Sequence, residues 1–197
     1  MAVVLRVVQP DEIALEPPAA RTIDRRRAAE RVEALFHEHY GRMVGMLARL
    51  TGDRAQSEEI ASDVFHKLSQ RPALLVSGED VTAWIYRVAS NAGVDALRAI
   101  SRRRRYEDAA ATGAIRLAAE SSALDAMLAA ERAARVRSVL ASLKARDAQL
   151  LLLRSSGLAY RELASTLGIE PGSVGTLLAR AEAEFERRFR ARYGESL

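Results

Sequence analysis

The chain has 197 residues, enough for one domain or two small ones. It is 49% hydrophobic but only 5% aromatic, with few Pro or Gly, which is the makeup of an all-helical protein. It carries no cysteine, which excludes a disulfide framework, a thiolate metal site and a thiol nucleophile, and a reducing cytoplasmic setting fits. The formal net charge is only +4, so any strongly cationic surface must come from local segregation of charge.

Residues 1–27 read as a flexible N-terminal extension. Val3 to Val8 are apolar, Pro10, Pro17 and Pro18 break the pattern, and the start is too short and too weakly basic for a signal peptide. A helix is expected over 28–50, with Val32, Leu35, Phe36, Tyr40, Met43, Val44 and Leu47 as its apolar stripe. Gly52 suits its end, and Asp53 caps the next helix, with Gln56 at the capping-box position. His37 and His39 lie two apart and do not share a helix face, so no metal site is expected.

A second helix is expected over 54–70, buried through Ile60, Val64 and Leu68. Its other side carries Glu58, Glu59, Ser62 and Asp63. No nucleophile, His partner or Gly-rich loop accompanies these carboxylates, so catalysis is not expected. They offer an acidic face for a basic partner protein, or a plain solvated surface.

After a loop over Ala73 to Glu79, with Ser77-Gly78 in it, the spacing predicts one long helix over 80–105. Asp80 is a good N-cap, and Val81, Trp84, Ile85, Val88 and Ala92 recur at buried-face steps. Another stripe is polar and increasingly basic: Arg87, Asn91, Arg98, Arg102 and Arg105. Residues 84–105 hold six arginines against one acid, Asp95. A helix ending in Arg102-Arg103-Arg104-Arg105 suits nucleic-acid phosphates. The plainer reading is a solvated cationic helix end.

Residues 106–121 are a linker candidate, small, Ala-rich and net acidic. A third long helix follows, with Leu124, Leu128, Val136, Val139, Leu140 and Leu143 as its apolar side. After a break near Lys144 to Asp147, another apolar helix runs through Leu150 to Leu153. The stretch from Tyr160 to Arg180 then reads as helix, tight turn, helix. Gly168 sits where a positive φ is needed, and Pro171 suits the start of the second helix. Val174, Leu178, Ala181 and Phe185 bury that helix, leaving Ser173, Thr176, Ala179, Arg180 and Arg187 outward. This is the helix-turn-helix plan, whose second helix enters a DNA major groove. A helical hairpin of a protein-binding repeat is the alternative.

Three of these motifs, in this order, resemble the sigma-70 family of bacterial sigma factors, of the extracytoplasmic-function (ECF) type. Ser57 to Phe65 resembles the family's acidic helix, Thr82 to Asn91 with Asp95 and Arg98 its promoter-melting helix, and Leu152 to Arg180 its helix-turn-helix. The resemblance covers about residues 28–190. It implies an all-α protein of two small helical modules, 28–105 and 122–197, joined by a flexible linker. It further implies a non-enzymatic initiation factor, without a cofactor or membrane insertion, whose partners are core RNA polymerase, promoter DNA and an anti-sigma factor.

Carried over on the matching positions, Glu58, Glu59 and Asp63 would face the beta-prime clamp of the polymerase. Arg87, Asn91, Arg98 and Arg102 to Arg105 would serve the minus-ten element, with Asn91 near a flipped base. Arg161, Ser173, Thr176, Ala179 and Arg180 would serve the minus-thirty-five element. Gly175 and Leu177 stand where the family often has Lys or Arg, so upstream contacts should be fewer. Ala159 replaces a usual Ser cap, a loss of about 1 kcal/mol of helix stability. A free-standing helix-turn-helix regulator and a helical protein-binding adaptor are the competing readings.

Overall fold

The computed structural model describes residues 18–76, 80–110 and 121–194, with side chains over 25–75, 80–107 and 127–194. Val3 to Val8, the Ser77-Gly78 loop and the middle of the expected linker lie outside the described residues. Every regular element within them is helical: α1 (Pro18–Thr51), α2 (Arg54–Ser69), α3 (Pro72–Val76), α4 (Val81–Ala110), α5 (Ser121–Ser142), α6 (Ala145–Ser155), α7 (Tyr160–Leu167) and α8 (Val174–Tyr193).

The loop expected over Ala73 to Glu79 is corrected in its first part, where Pro72–Val76 form the short helix α3, with Pro72 in the first turn and Leu75 buried. Two boundaries also differ from the sequence reading. The first helix begins at Pro18, not near residue 28. Proline is tolerated in a first helical turn, where its missing N–H costs nothing, and Ala19 and Ala20 propagate the helix. The central helix runs on to Ala110 rather than stopping at the arginine run. Glu107, Ala109 and Ala110 are good helix formers and carry the helix past the arginines.

Local signals account for the other ends. Asp53 Oδ1 accepts from the Gln56 amide at 3.1 Å to start α2. Asp80 Oδ1 accepts from the Ala83 amide at 2.9 Å to start α4. Gly52 and Gly168 adopt φ of 74° and 60°, a left-handed conformation that costs other residues more. Ala159 has no acceptor for an N-cap bond, so α7 keeps only the reciprocal half, with the Ala159 amide donating to Glu162 Oε2 at 2.6 Å.

Helices α1, α2 and α4 pack on one another as one module, and α5 to α8 as the other. The two modules are not separate. Helix α4 packs on α5, α6 and α7 as well as on α1 and α2. One buried cluster runs from Met43, Leu47 and Trp84 through to Leu153, Leu163 and Val174. α1 and α4 pack closely at Gly93, since a Cβ there would lie 2.7 Å from Leu47 Cδ2. On α5, Leu128 of the expected apolar stripe is 43% exposed, and Met127 beside it 54% exposed.

Candidate nucleic-acid interface

The amphipathic plan of α4 sets where its polar stripe can lie. Trp84 and Ile85 are buried, and the guanidinium of Arg71 lies 5.4 Å from the Trp84 ring centre. Tyr86 is also buried, edge-on to the His39 ring with Arg42 5.7 Å from its centre. Burial pushes the pKa of its hydroxyl up, against the opposing pull of the Arg42 charge. At 100° per residue, Arg87, Asn91, Arg98, Arg102 and Arg105 fall within about 60° around the helix. Of these, Arg87, Asn91, Arg102 and Arg105 are exposed, as are Arg103 and Arg104, while Arg98 is half-buried.

The second module meets this same stripe. Gln149 of α6 donates its side-chain amide to Asn91 Oδ1. Arg98 donates to the Leu143 carbonyl, at the turn between α5 and α6, at 3.1 Å. Above it, Asp80 Oδ2 accepts from the Ser165 hydroxyl of α7 at 2.7 Å. Those bonds from the Ala83 amide and Ser165 hold the Asp80 carboxyl below its usual pKa. From α1, Arg42 reaches the Ser156 carbonyl with two N–H groups, at 3.1 and 3.0 Å. Arg49 donates to the Ser156 hydroxyl at 3.1 Å. At two positions of the stripe, Asn91 and Arg98, the second module thus makes a hydrogen bond.

None of Arg42, Gln149, Ser156 or Ser165 stands out in the sequence. Their partners are 58 to 114 residues away, and no local period records so distant a contact.

On the helix-turn-helix, Ala164 is buried where α7 must pack closely, and the Ile169 amide donates to its carbonyl at 3.0 Å. Val174, Leu178 and Ala181 bury α8, while Ser173, Thr176, Ala179 and Arg180 are exposed. Arg161 of α7 is exposed as well. Gly175 and Leu177 are half-buried and so offer less outward surface than the sequence suggests. The arrangement is a helix held from behind with one cation, Arg180, on its first outward turns. An arginine placed so can grip a guanine edge or a phosphate.

On α2, Glu59 and Asp63 are exposed one turn apart, and Glu58 is half-buried and paired with Arg54 at 2.9 Å. Ser57 and Ala61 bury the opposite side of that helix. Among the described residues no group of His, Asp and Glu has a metal-binding arrangement, and no helix is long and apolar enough to cross a membrane.

Residues 35–105 match the family described as Sigma-70 region 2. Residues 133–185 match Sigma-70, region 4. The first match takes in the acidic helix and the basic stripe, and the second the whole helix-turn-helix. No curated protein matches the chain. Two family regions, in this order and over most of the sequence, place the chain in the sigma-70 family, ECF type, as a sigma factor that binds core RNA polymerase and directs it to promoters.

Proposed function

We propose that this sigma factor also helps melt the minus-ten element. Asn91 lines the pocket for a flipped base, and Arg87, Arg98 and Arg102 to Arg105 follow the phosphates. Arg180, with Arg161, Ser173, Thr176 and Ala179 around it, reads the minus-thirty-five element. Glu58, Glu59 and Asp63 face the beta-prime clamp. An anti-sigma factor belongs to the same reading, acting by keeping the DNA-facing residues covered.

The observation that carries the reading is the single polar stripe of α4. Arginines and one amide share about 60° of a helix whose apolar side is anchored in the core. Phosphates supply affinity, and the amide supplies two donors and one acceptor for a base edge. Because Gln149 and Leu143 occupy part of that stripe, the second module must move aside when promoter DNA binds.

The test is Asn91→Ala. Extruding a base relies on a fitted pocket, whereas duplex affinity relies on phosphates. The variant should bind duplex promoter nearly as well as the parent and capture single-stranded minus-ten DNA more weakly. Equal transcription of a pre-melted template by both proteins would remove Asn91 from the pocket. For the clamp face, Glu59→Lys with Asp63→Lys should reduce recovery of core polymerase in pull-down, since charge reversal beside a basic surface slows association. Undiminished recovery would remove that face from the polymerase interface.

A further inference from the structure

Three helices bring arginines together at one end of the contact between modules. Arg104 and Arg105 come from α4, Arg135 and Arg137 from α5, and Arg192 from the last turn of α8. They surround a cavity of about 230 Å³ whose wall, among the described residues, holds one acid, Glu131. Glu131 is taken by Arg135, at 2.7 Å. Among the described residues no ion pair reaches Arg104, Arg137 or Arg192. Arg137 is half-buried, with Gly52 packed against its guanidinium. Burial and the neighbouring Arg104 charge push its pKa down.

We propose that this pocket binds a small condensed phosphate, a di- or triphosphate anion, and that the bound anion holds the two modules together. Guanidinium forks match phosphate oxygens in pairs, and convergence from three helices calls for an anion with several charges. The cavity is smaller than the roughly 300–1,000 Å³ of ordinary organic-ligand sites, so it suits the bare anion rather than a nucleotide with its base. A DNA backbone is too bulky to enter between three helices.

The pocket is built from both modules, so only the packed arrangement contains it. An anion that binds there stabilises packing by mass action. It thereby keeps Gln149 on Asn91 and the Leu143 turn on Arg98. Arg104 and Arg105 are also in the run assigned to promoter phosphates, so anion and DNA compete. That competition rests on the proposed minus-ten role, and the binding itself does not.

The experiment uses the full chain and three titrants at matched ionic strength: sodium tripolyphosphate, sodium chloride and a short DNA duplex. Calorimetry reads binding. The distance between modules is read by energy transfer between dyes on Lys67→Cys in α2 and Ala183→Cys in α8, two exposed positions in a chain with no cysteine of its own. Tripolyphosphate should bind and raise the transfer efficiency, while chloride and duplex should not raise it. Arg137→Gln should weaken tripolyphosphate binding about tenfold or more, the usual loss for a hydrogen bond to a charged group. Arg192→Gln, at an exposed position where refolding is not at issue, should do the same. Arg26→Gln, in the first half of α1, should have no effect.

Three results would each overturn the proposal. One is no heat with tripolyphosphate. Another is equal loss of affinity in the Arg26→Gln control, which would mean a general charge effect. The third is binding without a rise in transfer efficiency. Because transcription is not measured, failure here leaves the promoter-melting reading standing.

Discussion

The side-chain amide of Gln149 donates to Asn91 Oδ1, tying α6 of the second module to the polar stripe of α4. The bond spans 58 residues of sequence and takes up the acceptor of the one amide on that stripe. Gln149 is itself buried, so the contact is shielded from water on its side.

Gln149→Ala should release that acceptor. A hydrogen bond of this kind has a net worth of about 0.5–1.5 kcal/mol. The isolated variant should therefore bind single-stranded minus-ten DNA about two- to tenfold more tightly, as read by fluorescence anisotropy of a labelled oligonucleotide. Unchanged affinity would mean that the contact does not compete with DNA.

Arg180→Ala tests upstream recognition. Loss of a bidentate base contact costs about 1–3 kcal/mol of discrimination. Run-off transcription on paired templates with native and scrambled minus-thirty-five elements should show most of the preference gone, while a strong minus-ten element still directs initiation. Uniform weakening on both templates, with a salt slope lower by about one unit, would make Arg180 a phosphate contact instead. If preference survived, Ser173 and Thr176 would become the candidates.

Gly93→Ala tests the close packing of α1 on α4. The added Cβ would stand 2.7 Å from Leu47 Cδ2 and 3.1 Å from Leu50 Cδ2. Both leucines are buried, at 0% and 1% exposure, and have little room to give way. Overpacking of this kind costs about 1–3 kcal/mol, against a helix-propensity gain of up to about 1 kcal/mol. The first effect is the larger, so Tm should fall, by about 2–4 °C for each net kcal/mol. A rise in Tm would show that the two helices are not held this closely.

Asp80 gives a pH dependence. The Ala83 amide and the Ser165 hydroxyl bond its carboxylate and lower its pKa from the ordinary value. A group depressed in the folded state contributes stability above its unfolded pKa and loses it as pH falls through the folded one. Asp80→Ala should therefore lower Tm near neutral pH by the worth of a helix cap, about 1 kcal/mol. The Tm difference between parent and variant should shrink as pH falls below the usual carboxylate range. A constant difference down to strong acid would mean that the charge plays no part.

The sequence by itself determined the long helices, though not all their ends or the short α3, and the outward side of the helix-turn-helix. Asp53, Asp80 and Gly168 act on backbone groups within a few residues, so their caps and turns are written locally. The buried line of Val174, Leu178 and Ala181 repeats at helical spacing, which leaves Thr176 and Arg180 outward whatever the helix packs on. Spacing alone likewise put Arg87, Arg98, Arg102 and Arg105 of α4 on one stripe. Only the tertiary structure decided which part of that stripe is covered. Gln149, the Leu143 carbonyl and Ser165 reach α4 from 45 to 85 residues away, as donors and acceptors that carry no periodic mark. The meeting of Arg104, Arg137 and Arg192 is of the same kind. A periodic pattern shows that a face will be buried or solvated, but the partner across that face is fixed by how whole helices pack, because apolar burial is non-directional and the surrounding polar groups are paired only once packing has brought them together.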